Sequence, residues 1–422
     1  MVDDGSLPFD ASDKPLLQQT VQSFCDCGTA HAIQAAELLL RQTLRTTRLF
    51  RIQTGKQFFP DMLPVLRFLP NRVLRLYSGG SGIDRLRSAE QPEDNRYPED
   101  WIASCIEGNG RAYLSPGHGI SRILADGEIF PFPEFLQQHA EAILGPAHKA
   151  RFGIRPGVLT KLLDSAERLP LQVHPTRAQA RELFGVDYGK TEAWIILSTR
   201  EIRGEKPYLL TGFRENFNAE LFFRESREGV YEKGLEMLHK LPVRPGDVIV
   251  IHGGLPHAIG PGVTMVEVME PSDLVIVPEK NCCGVLLDEE KRFSGLGPDK
   301  ALSLFDGSVR SEAELRKRIS PPRRHLESRA GGILSCLIPY SAVNGYFEAH
   351  HLKLSGKWEF RKRSPQTFRI GIVTRGALSW NDTETFRAGE SFLIPFEMDS
   401  FRLSGTGEAI FILPPDAEGS YS

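Results

Sequence analysis

Several absences narrow what this chain can be. It has no excess of positive charge: 51 Lys and Arg face 54 Asp and Glu, a formal net charge of −3. Nucleic-acid binders are usually basic, so that class is disfavoured, although a local basic cluster would suffice for a small anionic ligand. No apolar run is long enough to span a bilayer. The start, Met1-Val2-Asp3-Asp4, has neither a basic n-region nor an apolar h-region, so no secretory leader is expected. Cysteine is scarce: Cys25, Cys27, Cys105, Cys282, Cys283 and Cys336. No zinc-finger spacing joins them. Cys282 and Cys283 are adjacent, and a disulfide between neighbours is strained. Reduced thiols in a cytoplasmic protein are the expectation.

What is present is ordinary for a globular protein. Hydrophobic residues make 41% of the 422 and charged residues 25%, enough for two or three domains and a sizeable core. Residues 12–47 read as two amphipathic helices, an N-terminal extension over 1–65. A helix is expected over Phe132 to Leu144, with Pro133 in its first turn. From Val158 onward the chain turns to strands, interrupted by a short helix at Arg177 to Leu183. Glu220 to Leu241 reads as helix, a helical insertion over about 214–242. Strands resume at Asp247 to Ile251, Val263 to Met269 and Leu274 to Val277. Residues 307–330, rich in Arg, Glu and Pro, read as a linker with a short helix at Glu312 to Arg318. Residues 333–414 are again β.

The chemistry concentrates in two stretches. The first is Leu171-Gln172-Val173-His174-Pro175, followed by Gly189-Lys190-Thr191-Glu192-Ala193-Trp194. Side chains two apart on a strand share a face, so Gln172 pairs with His174, and Lys190 with Glu192 and Trp194. The second is Gly246 to His257, a strand and turn that ends on a histidine. One amide oxygen, two imidazoles and one carboxylate can converge on a divalent metal. Zinc suits that set, and nickel, manganese or iron(II) also fit. Glu192 sits in an otherwise apolar run, and a buried carboxylate needs a partner. A weak repeat aligns Gly246-x5-His252-x-Gly254-x2-His257 with Gly389-x5-Pro395-x-Glu397-x2-Ser400. Ser400 replaces the ligand histidine in the second copy. The expected class is therefore mainly β, with two cupin (jelly-roll) barrels and one metal site: residues 66–325 and a degenerate copy over 326–422.

These motifs, with Pro98-Glu99-Asp100-Trp101, Pro256-His257-Ala258-Ile259, Glu267 and Ser272-Asp273, resemble the type I phosphomannose isomerases, a zinc-dependent cupin family. The resemblance covers roughly residues 70–415. It implies a metal-dependent aldose–ketose isomerase acting on mannose 6-phosphate and fructose 6-phosphate. It implies one zinc ion per chain on Gln172, His174, Glu192 and His257. Lys190 and Glu267 match polar positions of the family's active site. Glu267 is the first candidate for the proton shuttle, and Lys190 is the second or a binder of the anionic substrate. Two positions depart from the pattern: Pro170 stands for a serine near the phosphate end, and Val277 for an arginine. Lys280, three positions on, and Arg72 and Arg75 are candidate replacement cations, with Lys280 a candidate substrate contact. A related cupin isomerase for another sugar, and a non-catalytic sugar-binding cupin, stay open. The expected partner is a small sugar or sugar phosphate.

Overall fold

The computed structural model describes residues 63–108, 117–125, 127–231, 233–361 and 367–417. The helices expected over 12–47 lie outside the described residues. The fold is mainly β. A six-stranded antiparallel sheet runs in the order Val248–Ile251, Glu192–Thr199, Val263–Met269, Leu159–Asp164, Glu99–Ile102, Arg72–Val73. Beside it lies a three-stranded sheet, His257–Ile259, Tyr208–Phe213 and Leu238–Pro242. A ten-stranded sheet is built mainly from the C-terminal segment.

The six-stranded sheet is covered on both faces. Ala193, Ile195, Val248, Val250, Val266 and Val268 point one way, into a core shared with Leu66, Ile370, Ile372, Leu393 and Ile412 of the ten-stranded sheet. Trp194, Ile196, Ile249, Ile251 and Met265 point the other way, against Leu209, Leu241 and Ile259 of the three-stranded sheet. Two-sided burial explains why Val263–Met269 is buried at every position. It also sets the site: the residues two apart that carry polar groups face the gap between the six- and three-stranded sheets.

Four expectations about elements are corrected. The helix expected over Glu220 to Leu241 ends at Glu228. Gly229 takes φ 77°, a left-handed stop that glycine adopts without strain. A short 3-10 turn and the Leu238–Pro242 strand follow, because Leu238 and Leu241 are claimed by pairing with Tyr208–Phe213. Leu274 to Val277 makes only one bridge, Ile276 to Val173, rather than a strand. The linker read over 307–330 contains a capped helix, Glu312–Ile319, and then the Arg324–Arg329 strand, which pairs with Gly332–Ile338. Finally, Lys190 precedes the strand, which starts at Glu192.

The ten-stranded sheet also takes in Leu66–Phe68, Arg122–Ala125 and Glu128–Pro131 from the N-terminal side of the described chain. Leu66–Phe68 pairs with Ser391–Ile394. The repeat noted in the sequence has a counterpart in backbone: Val248–Ile251, a turn and His257–Ile259 correspond to Ser391–Ile394, a turn and the strand that opens at Ser400.

Candidate metal centre and active site

The polypeptide around His174 is held tightly before any side chain is considered. Gln172 and His257 exchange backbone hydrogen bonds of 2.9 and 3.0 Å, which sets the two segments side by side. Thr176 and Gln179 form a reciprocal capping box that starts the Arg177–Phe184 helix straight after Pro175. The backbone at 175–177 passes so close to Gly189 and Gly253 that a Cβ at either would fall within 2.7 Å of backbone atoms. Glycine at both positions lets three segments meet.

His174, Glu192 and His257 then bring one ligand atom each to within 4.8 Å of one another, all buried. His174 Nδ1 donates to the Leu274 carbonyl and His257 Nδ1 to the Leu255 carbonyl, both at 2.9 Å. A carbonyl only accepts, so each Nδ1 is the donor there and each Nε2 is the ring nitrogen left to face the cluster. Those Nε2 atoms face Glu192: His257 lies 3.2 Å from Oε1 and His174 3.5 Å from Oε2. His257 Nε2 and Glu192 Oε2 are buried without a hydrogen-bond partner. Acceptors crowded together in a dry place are costly until a cation satisfies them. Second-sphere carbonyls that fix the tautomer are the usual support of ligating histidines. The donor set therefore fits a divalent metal. Gln172, half-buried, is tied to His257 through the backbone.

Lys190 sits against this cluster. Its Nζ is 3.2 Å from His174 Nε2 and 3.5 Å from Glu192 Oε2. Burial alone pushes the Glu192 carboxyl up, but Lys190, His174 and His257 outweigh it and hold the carboxyl well below the usual range. Burial, helped by the Lys190 charge, pushes the His174 imidazole well down, which keeps it neutral.

Glu267 lies on the same side of the sheet, opposite Trp194 in register. Trp194 Nε1 donates to Oε1 at 3.1 Å, and the Trp194 indole packs edge-on to the His257 ring, centroids 5.5 Å apart. Burial raises the Glu267 carboxyl above its ordinary value, against the pull of Lys161.

Sequence reasoning missed the charge ladder behind Glu267. Lys161, only 2% exposed, places Nζ 3.1 Å from Glu267 Oε2 and 3.2 Å from Glu99 Oε2. Glu99 also accepts from Tyr77 and Trp101, both at 2.6 Å, and pairs with Arg75 at 3.1 Å. Arg75 reaches on to Asp273 at 3.3 Å. The Glu99 carboxyl, though burial pushes it up, is held at about 2 by Arg75 and Lys161. A signal was present: Lys161 lies between Leu159 and Leu163 on one face of an apolar strand, where a lone lysine needs partners.

The other candidates separate. Arg75 joins the ladder, whereas Arg72 pairs with Asp84 at 2.9 Å and serves the fold. Lys280 is not brought to the cluster. It is exposed, its amide donates to the Gly229 carbonyl, and its stem packs where a Gly229 side chain would be. Val277 is buried, with its N–H bonded to the Arg292 carbonyl. Arg292, a buried cation nearby, spends its guanidinium on the Ser226, Arg227 and Pro278 carbonyls, closing the end of the Ala219–Glu228 helix. Cys336, Glu348 and His350 form a second close group, but the Arg324 guanidinium already supplies a cation to Glu348 and Cys336 there.

No protein-family model matches the chain. The fold and the His–Glu–His cluster place it among β proteins built to hold a metal, and its relatives narrow that class. Mannose-6-phosphate isomerase ManA of Bacillus subtilis (strain 168) is 26% identical over 278 residues, 65% of this chain and 79% of the relative. The mannose-6-phosphate isomerase of Streptococcus mutans is 32% identical over 145 residues, 34% of this chain and 41% of the relative. The crystal structure of the Bacillus subtilis mannose 6-phosphate isomerase superposes with a TM-score of 0.62 at 22% identity, covering 82% of this chain and 99% of that one. A zinc-bound mannose 6-phosphate isomerase gives 0.62 at 18% identity, over 83% and 100%. The chain has the fold of the phosphomannose isomerases, and the resemblance to the type I enzymes is borne out.

Proposed function

We propose that this protein is a zinc-dependent isomerase interconverting mannose 6-phosphate and fructose 6-phosphate. The observation that carries the reading is the convergence of His174, Glu192 and His257, with both imidazole Nδ1 protons committed to carbonyls and Lys190 beside them. Gln172, His174, Glu192 and His257 would hold the metal, one per chain. When bound, it supplies a Lewis acid for the sugar's carbonyl oxygen.

The residues of the chain do the rest. Isomerisation moves a proton between C2 and C1 while the carbonyl shifts, so a base must take the proton and return it one carbon away. Glu267 is assigned that shuttle. Its raised carboxyl lies nearer neutrality than an ordinary glutamate, which suits a group that must both accept and donate. Trp194 and Lys161 hold its two oxygens and so aim it. Lys190 is assigned to the negative charge that develops on the sugar oxygens, or to the anionic end of the substrate. Lys280 receives no part, because its stem is packed at the end of the 219–228 helix.

The architecture we propose is two cupin barrels: residues 66–325, carrying the site and the partly helical insertion near 214–242, and residues 326–422, a degenerate copy. Residues 1–65 form an extension. The strand–turn–strand frame shared around His257 and Ser400 supports this, and Leu66–Phe68 pairs across to the second unit. Among the described residues no helix is long and apolar enough to cross a membrane. We place the protein in the cytoplasm, with a sugar phosphate as its partner.

Pro170 and Val277 favour a second reading, the same chemistry on a different sugar. Incubating purified, zinc-loaded protein with mannose 6-phosphate and measuring fructose 6-phosphate decides between them. Turnover supports the first reading. No product, from protein that retains its zinc, rejects it and leaves an isomerase for another sugar or a non-catalytic sugar-binding cupin.

A further inference from the structure

The short strands Asn281–Cys282 and Val285–Leu286 form a hairpin closed by Cys283 and Gly284. Both closing residues have positive φ, 51° and 73°. Such a turn favours Asn or Asp followed by Gly, and a cysteine there carries backbone strain. The hairpin needs no sulfur for its geometry. Yet Cys283 Sγ lies 3.4 Å from Cys282 Sγ, with Cys282 buried and Cys283 partly exposed.

The pair is linked to the segment that leads into Gln172. Cys283 Sγ donates to the Arg168 carbonyl at 3.5 Å, and the Arg96 guanidinium donates to the Cys283 carbonyl at 2.9 Å. Arg168 grips Glu279 through two hydrogen bonds of 2.8 and 2.7 Å. Glu279 in turn accepts the Leu171 amide at 2.5 Å. Leu171 immediately precedes Gln172.

We propose that Cys282 and Cys283 form a dithiol that a low-molecular-weight disulfide oxidises reversibly to a vicinal disulfide, and that closing this ring loosens the Gln172 side of the metal cluster. The partly exposed Cys283 reacts first. Its thiolate attacks one sulfur of the oxidant, and the other sulfur leaves as a thiolate that takes up the proton Cys283 lost. Cys282 then loses its proton, attacks the Cys283 sulfur and expels the second small thiol, which takes that proton. Two protein thiols become one disulfide, and the oxidant becomes two thiols.

Reversibility follows from the spacing. Adjacent Cα atoms are about 3.8 Å apart across a trans peptide, shorter than the roughly 4.4–6.8 Å of ordinary disulfides, so a ring closed between neighbours is strained. Strained disulfides have more oxidising potentials and are the labile ones. Bringing the two sulfurs from 3.4 Å to bonding distance turns the Cys282–Cys283 peptide and draws Cys283 away from Arg168 and Arg96. That is how ring closure reaches the Glu279–Leu171 clamp.

The coupling to metal rests on the proposed ligand set; the dithiol itself does not. The test equilibrates zinc-loaded protein with mixtures of glutathione and its disulfide. Intact mass and peptide mapping report the thiols, and a chromophoric chelator reports the rate of zinc release. The expected result is the loss of two hydrogens on the peptide carrying both cysteines, with zinc release severalfold faster and restored by dithiothreitol. Cys283→Asn, which suits the turn, should show neither change. A stable glutathione adduct on Cys283 without ring closure would overturn the proposal, as would both thiols staying reduced while Cys105 or Cys336 reacts. Ring closure with unchanged zinc release overturns the coupling. Protein that holds no zinc refutes the ligand set, and the mass readout then decides the dithiol independently.

Discussion

Replacing Lys161 by methionine should cost roughly 3 kcal/mol of stability at pH 7, and the cost should shrink as the pH falls. Methionine keeps the stem's packing and removes the charge that stands 3.2 Å from Glu99 and 3.1 Å from Glu267. Glu99 retains Arg75, Tyr77 and Trp101. Glu267 retains the Trp194 N–H, and burial already pushes its carboxyl up. Without Lys161 the carboxyl is raised further, because the charge that opposes burial is gone. Removing one partner of a buried ion pair costs roughly 3–5 kcal/mol, because the charge left behind is uncompensated, and the lower end fits here since Glu99 keeps its other partners.

The sign follows from the raised carboxyl. A carboxyl raised on folding imposes no penalty below its unfolded value, and the penalty grows with pH until the folded group ionises. In the wild type that growth stops earlier, because Lys161 lets Glu267 ionise sooner. The gap between wild type and variant should therefore open above that point and widen by about 1.4 kcal/mol per pH unit. Urea denaturation at fixed zinc, at pH 5, 6 and 7, measures it. A gap of the same size at all three values would mean that packing, not charge, was lost. No gap at all would show that Lys161 does not compensate the two carboxylates.

Other outcomes follow from the same site. The His174→Ala/His257→Ala double variant should purify without metal, whereas the wild type carries about one equivalent by elemental analysis; full occupancy in the variant would reject the ligand set. Lys190→Ala should lower mannose 6-phosphate turnover by about 10²–10³, and undiminished turnover would move the charge stabilisation elsewhere. Val277→Arg should lower the melting temperature without raising turnover, because position 277 is buried and a charge placed there lacks a partner. A gain of activity in that variant would show that the missing cation limits the wild type.

The same-face pairs around the cluster were legible because strand geometry has period two, and their meeting at one metal was what the family resemblance implied. Gln172 and His174, and Glu192 and Trp194, declare shared faces in a few residues of sequence, and a carboxylate inside an apolar run announces a partner. Val263–Met269, a short apolar run, and Phe132–Leu144, a helical pattern with Pro133 in its first turn, were readable from local sequence as well. The stretch after Gly229 was not. Its leucines fit a helical stripe as well as a strand, and only pairing with Tyr208–Phe213 chose between them.

Glu99, Lys161 and Glu267 come from three strands far apart in the chain, and nothing local says that their faces stack into one ladder. Likewise, the joining of Leu66–Phe68 to Ser391–Ile394 depends on which edge was free. The sequence by itself determined which polar side chains sit two apart in extended runs, since that is a property of neighbouring residues. Which charges neutralise one another in the dry interior was decided only by the tertiary structure, because a buried charge takes its partner from whatever strand packs beside it.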